Sequence, residues 1–331
     1  MLTPRRRFDV EASVLSMRAS CLLGIVLLVA LAAPRHADAG PARTQTPGAG
    51  VPQRNADGSS ARLRTAIERA AGYLGTHELQ GEWAWFTTQA ALLLGPKFKT
   101  WAGTLKVAPS LQAIATSGRR PETFPEALEA RIWSLRWLPE HPAPRLSRPD
   151  ATPVDGAESR RFEEPEAMTI MAMLLAGVHC DTLSPKDRDG WLTLLSTPSH
   201  SYMLTNQLFS LMLAYNQGCL SARVIDPIRL RLATQLFAQL TGDSDTLDEL
   251  TIERLAILCY ARVGDWISPG SIARLVNEQQ ASGAWGARDP RLFRGYRLTE
   301  EQTASLAFYV LARAWTLHHG SAAGPQPPHV K

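Results

Sequence analysis

The chain has no CxxC pair, no HExxH, no GxSxG and no glycine-rich phosphate loop. These gaps remove the sequence-visible routes to dithiol redox chemistry, zincin hydrolysis, serine acylation and nucleotide hydrolysis. Its Lys and Arg are scattered, with no basic stripe and no interleaved aromatics, so nucleic acid is not an expected partner. The formal charge is only +4, and the first 39 residues carry +2 of it. Cysteine is scarce at 4 residues, one of them inside that leader. Strand-like alternation never persists for more than a few positions. At 45% hydrophobic and 20% charged over 331 residues, what remains is an ordinary globular composition, ample for one sizeable core.

The apolar stretch Cys21 to Ala33 follows Arg18, and Ala37, Asp38 and Ala39 form a small-x-small site before Gly40. Residues 1–39 thus read as a secretory signal peptide, with Met17 an alternative start. A bilayer span needs about 20 apolar residues, more than this stretch supplies. No stable membrane span is expected after cleavage, a retained anchor being the alternative, and no lipobox is present. The mature chain is expected to be exported, periplasmic or extracellular. Residues 40–59 are rich in Gly, Pro and Ala and read as a flexible linker, and 318–331 as a disordered tail. In an oxidising compartment a bridge between Cys180 and Cys219 is open, each lying just past a helix-like segment. Cys259, inside the run Leu255 to Tyr260, reads as a buried small hydrophobe.

Between linker and tail the apolar residues recur at helical spacing, so the domain at 60–317 should be all-α. Strongly apolar segments (Trp85 to Leu94, Pro125 to Leu138, Pro165 to Ala176, Tyr202 to Tyr215, Leu247 to Ala261, Thr299 to Trp315) alternate with amphipathic ones. The amphipathic set is Ala61 to Leu74, Trp101 to Ala115, Pro185 to Leu195, Ala222 to Leu240 and Pro269 to Gln280. Only 141–163, rich in Pro, Arg and Asp, breaks the rhythm and reads as a surface loop insertion. Ser184 and Ser268, each before a proline, are N-cap signals. Gly95, Gly177, Gly218 and Gly264 read as helix stops.

The sharpest motif is Gln280, Gly283, Trp285 in QASGAW, with a partial echo at Gln80, Gly81 and Trp83. On these residues the chain resembles the terpenoid cyclase and protein prenyltransferase superfamily, the squalene cyclase-type proteins with QW repeats. The resemblance implies an α/α toroid of about six helical hairpins in one ring. It also implies that the motif glutamines brace, and that Trp83 and Trp285 pack on the preceding helix. It does not bring the family's catalysis along. The nearest approach to the cyclase DxDD is Asp243, Ser244, Asp245, Thr246, which lacks the last acid. The prenyltransferase zinc set has only His179, Cys180, Asp181 and His200 to draw on. The complement-like CGEQ is absent. No metal and no cofactor are expected.

Gln89, Gln207 and Gln302 stand at one position ahead of three apolar runs. In a toroid the starts of the inner helices converge on one mouth. These amides, with Glu129, Glu253, Thr88, Asn206, Glu301 and Thr169, would then line a polar funnel. The alternative is that each glutamine braces its own hairpin. Among nine tryptophans, Trp85 is the best placed to face a cavity, whereas Trp133 and Trp137 read as an i,i+4 core pair. Glycan-processing (α/α)6 barrels use paired acids in an open cleft, a part open to Glu129 and Glu253. The expectation is an exported binding or interaction module for a small molecule, lipid or envelope component. The alternative is a terpenoid cyclase-class or other enzyme using acids at the barrel mouth.

Overall fold

A computed structural model of the chain describes residues 56–138, 140–150, 164–242, 247–286 and 300–319. Of these residues 72% are helical. The leader, most of the linker, the DxDD-like stretch and the tail beyond 319 lie outside them. The elements are α1 (Ala56–Thr76), β1 (Glu78–Leu79), α2 (Gly81–Leu94), α3 (Pro96–Ala102), β2 (Lys106–Val107), α4 (Pro109–Ser117) and α5 (Phe124–Ser134). There follow α6 (Glu164–Val178), α7 (Pro185–Ser196), α8 (Ser201–Asn216), α9 (Ala222–Gly242), α10 (Glu249–Tyr260), a 3-10 turn (Gly264–Trp266), α11 (Pro269–Asn277) and α12 (Glu300–His319).

Apolar periodicity decides which helices sit inside. Nearly every residue of α8 is buried, whereas α7 hides only Trp191, Leu194 and Leu195, and α11 only Leu275. A helix that is apolar all round needs neighbours on all sides, and a one-sided helix keeps a wet face. Accordingly α2 packs on α5, α5 on α6, α6 on α8, α8 on α10, α10 on α12, and α12 on α2. The one-sided helices lie against these: α1 and α11 on α12, α3 on α2, α4 on α5, α7 on α6 and α8, α9 on α8 and α10.

The centre is aromatic. Trp85 meets Phe86, Tyr260 and Phe209 edge-on at 4.8, 5.0 and 5.4 Å between centroids, and Phe86 meets Phe209 and Tyr309 at 5.3 and 5.6 Å. These rings come from α2, α8, α10 and α12, and all are at least 98% buried. Edge-to-face packing of this kind adds about 0.5–1.5 kcal/mol per pair beyond burial. Trp85 is therefore a hub of the core.

Local chemistry fixes several boundaries. Ser184 and Ser268 accept from the backbone N–H of Asp187 and Ser271, with Pro185 and Pro269 in the first helical turn. Thr123 and Asp248 cap α5 and α10 in the same way. Helix α1 begins at Ala56, inside the stretch read as linker, because its apolar face (Leu63, Ala66, Ile67, Ala70, Leu74) carries the helix back through Gly and Ser. The segment Trp101 to Ala115 is two helices rather than one. Gly103 ends α3, and the residue before Pro109 is held extended, so Lys106–Val107 pairs in parallel with Glu78–Leu79. That two-residue ladder is the sheet among the described residues, where none was expected. Helix α5 stops at Ser134, leaving Trp137 38% exposed; it does not form a core pair with Trp133. Instead Arg136 lies over both rings, 3.9 Å from the Trp133 centroid and 5.6 Å from that of Trp137. Gly177 lies within α6 rather than beyond it.

At the Gln–Gly–Trp unit, Trp285 is 1% exposed and its indole N–H donates to Leu275 O at 2.8 Å. Gly283 has φ 96°, and a Cβ there would stand 2.2 Å from Arg69 O. Only glycine admits both that backbone and that approach. The bracing amide is Gln279, not Gln280: its Nε2 donates to Ala66 O and Gly283 O, tying α1 to the turn, while Gln280 is exposed. In the echo, Gln80 precedes α2 without capping it through its side chain, and Trp83 is half-buried against Phe86.

Candidate functional site

The polar groups of the packed helices are sorted by helix end. In their first two turns, α2 brings Glu82, α5 Glu129, α8 Tyr202 and Thr205, and α10 Glu249 and Glu253. The approach of α2 to α5 is possible because residue 81 is glycine; a Cβ would lie 2.4 Å from Glu129 O. The N–H of Glu82 then donates to the Glu129 carboxylate at 2.9 Å. Thr205 donates to Glu253, linking α8 to α10. Glu82, Glu129 and Glu253 keep partial exposure, while Glu249 is 6% exposed and its Oε1 has no hydrogen-bond partner among the described residues.

Crowding and desolvation hold these acids above the ordinary carboxylate range. Burial, then Glu129 and Glu253, pushes Glu82 well up. Burial raises Glu129 although the Glu82 and Gly81 N–H groups oppose it. Glu253 is pushed up to about 7 by burial, against the pull of Thr205 and Arg254. Glu249 is pushed up to about 9 by burial and by Glu253 and Asp248. Near neutral pH the cluster therefore holds protons: Glu249 as a carboxylic acid that can donate, Glu253 close to half-charged. The positive ends of the helix dipoles are where such a cluster is best tolerated.

The opposite end is built differently. Residues 140–148 run across the C-terminal ends of the helices and are pinned at almost every step. His141 N–H donates to Asn216 Oδ1 (2.9 Å), Tyr215 OH to Pro142 O (2.6 Å), Arg229 Nη2 to Pro144 O (2.7 Å) and Trp266 Nε1 to Leu146 O (3.3 Å). Glu140 enters beneath, paired with Arg262 and Arg313 and receiving Tyr309 OH at 2.8 Å. The first part of the expected surface loop is thus a fixed strap; 151–163 lie outside the described residues. A disulfide joins Cys180 and Cys219, just past α6 and α8, with Cα atoms 5.9 Å apart. Cys180 therefore offers no thiolate to a metal, and no group of acids, His and Cys suited to an ion occurs among the described residues. Cys259 is buried, its thiol pushed up to about 12 by desolvation.

The three glutamines do not share a layer. Helix α2 begins at Gly81, so Gln89 stands in its third turn, whereas Gln302 is in the first turn of α12. Six residues of register amount to about 9 Å along a helix. Gln89 Nε2 donates to Arg136 O and Leu138 O (2.9 and 3.3 Å), and Gln207 Nε2 to Leu194 O and Thr197 O (both 2.9 Å). Each braces a different helix end; Gln302 is half-buried and also engaged. Thr88 and Asn206 turn back to Ala84 O and Tyr202 O on their own helices. Of the residues picked from sequence, Glu129 and Glu253 fall in the acid cluster, and Glu82 and Glu249 were missed. Their signal was available as acids in helix first turns, but only the meeting of the helix ends separates them from surface carboxylates. No protein-family model, no curated protein and no solved structure matches the chain.

Proposed function

We propose that this chain is an exported α/α toroid acting as a binding module, with its ligand received at the acid-lined end. The observation that carries the proposal is the meeting of Glu82, Glu129, Glu249 and Glu253, desolvated yet with three of the four still partly exposed. Crowding like charges in low dielectric is unfavourable, and a ligand that hydrogen-bonds them offsets that cost. Protonated carboxyls both donate and accept, so the fitting ligand is rich in hydroxyls, as glycans and glycolipid headgroups are. The toroid is supported by the closed sequence of packing from α2 through α12 and back to α2, and by the seating of Trp285 beneath its turn. Export is supported by the disulfide, which persists in oxidising compartments.

A second reading, an enzyme using these acids, is favoured by Glu253. A carboxyl near 7 beside one near 9 is the divergence that lets one group give a proton while another takes it. One experiment addresses both. The chain from residue 40 onward is incubated with extracted envelope lipids and glycans, repurified, and examined by mass spectrometry beside Glu129→Gln/Glu253→Gln. Binding predicts an intact ligand retained by the wild type and lost by the variant. Turnover abolished by the variant establishes the enzyme, and equal retention by both proteins removes the acid end from either role.

A further inference from the structure

A second polar recess lies away from the acid end, on the outer side of α1 and α11. It has a volume of about 430 Å³ and is lined by Arg62, Thr65 and Arg69 of α1 and by Asn277 and Gln279 at the end of α11. That is within the size range of small-ligand sites. Arg62 and Arg69 are seven residues apart, on one helix face. Among the described residues no acid lines the recess. The acids nearest in sequence are engaged on neighbouring faces, Glu68 with Arg64 at 3.0 Å and Glu278 with Arg274 at 2.9 Å. Asn277 Oδ1 accepts from Arg62 Nη2 at 2.5 Å and orients that guanidinium across the opening, while Arg69 has no ion-pair partner among the described residues. The Gln279 amide belongs to the fold, since its Nε2 is committed to Ala66 O and Gly283 O and its Oε1 is buried.

Two exposed guanidinium groups on one helix face, with no acid among the described residues of the recess, define a ligand with two negative charges. We infer that the recess between α1 and α11 binds a phosphomonoester, with Arg62 and Arg69 on the phosphate. A carboxylate brings one charge and two oxygens, and leaves one arginine unmatched. A phosphomonoester is largely dianionic above its second pKa of about 6, and its three terminal oxygens can take both guanidinium forks. The recess borders Gln279, just ahead of the Gly283 and Trp285 turn. The inference does not depend on the acid end.

The test is titration calorimetry at pH 7.5 with glycerol phosphate as the probe and acetate as the control, on the chain from residue 40 onward. The expected result is saturable one-to-one binding of glycerol phosphate, weakened at least about ten-fold in Arg62→Gln/Arg69→Gln, with acetate far weaker. If the double variant loses helix content, Arg69→Gln alone replaces it, because no side chain among the described residues partners Arg69. A second arm asks whether the ester is soluble or a lipid headgroup, using phosphatidylcholine vesicles with and without phosphatidic acid. Sedimentation that depends on phosphatidic acid and on the arginines assigns a headgroup; calorimetric binding without it assigns a soluble ester. Absence of binding in both arms, or equal binding by wild type and folded variants, overturns the inference.

Discussion

The two ends of the packed helices carry opposite charge and opposite degrees of closure. At the C-terminal ends, buried arginines are answered by Glu140, by carbonyls of the strap and by Asp226, which lies 3.0 Å from Arg229. At the N-terminal ends acids face acids, with the buried Arg254 acting on Glu253 alone among them. Both signs suit the helix dipoles, so sign alone identifies no site. The difference lies in closure: one end has a covalent bridge and a fixed strap, whereas at the other burial and neighbouring acids hold carboxyls protonated.

The largest effect should come from opening the closed end. Glu140→Ala leaves Arg262 and Arg313, 12% and 16% exposed, without their carboxylate. Orphaning buried charge in this way costs about 3–5 kcal/mol, read as a fall in the denaturation midpoint. A loss below about 1 kcal/mol, typical of exposed pairs, would show the strap to be decoration. Reducing the Cys180–Cys219 bridge releases a loop of 39 residues and should lower stability by about 2–4 kcal/mol, in wild type and Cys259→Ser alike.

Changes at the acid end should act with the opposite sign. For acids raised in the folded state, the stabilising protonation is complete below their ordinary value of 4.5 and is lost as pH climbs through about 7 for Glu253 and about 9 for Glu249. The thermal midpoint should therefore fall between pH 5 and pH 9. Glu249→Gln should stabilise the protein at pH 8 by about 1–3 kcal/mol and flatten that slope. A destabilised Glu249→Gln would give the glutamate an undetected partner and erase the contrast. Smaller still, Gln207→Ala should cost about 0.5–1.5 kcal/mol by removing its hydrogen bonds to the carbonyls of Leu194 and Thr197, with no effect on ligand retention at the acid end.

Sequence periodicity located eleven of the helical stretches, since burial follows the apolar pattern of α8, α10 and α12 closely. It erred where a few residues overrule the pattern, as at Gly103 and Pro109, which split one expected helix, and at Gly81, where α2 starts earlier than its apolar run. That early start is why Gln89 looked like a mouth residue and is instead a brace in the third turn. Half of the acid cluster was visible as Glu129 and Glu253. Glu82 and Glu249 were not, because each becomes unusual only when another helix end brings a second carboxylate against it.

The contrast between the ends rests on the acids holding their protons, and carboxyl carbon NMR of the chain selectively labelled at glutamate reads this directly. Assigned through Glu249→Gln and Glu253→Gln, the Glu253 carbon should titrate near pH 7 and that of Glu249 near pH 9, with Glu82 and Glu129 also above the ordinary range. If all four instead titrate near 4.5, the N-terminal end is an ordinary solvated surface and the account fails.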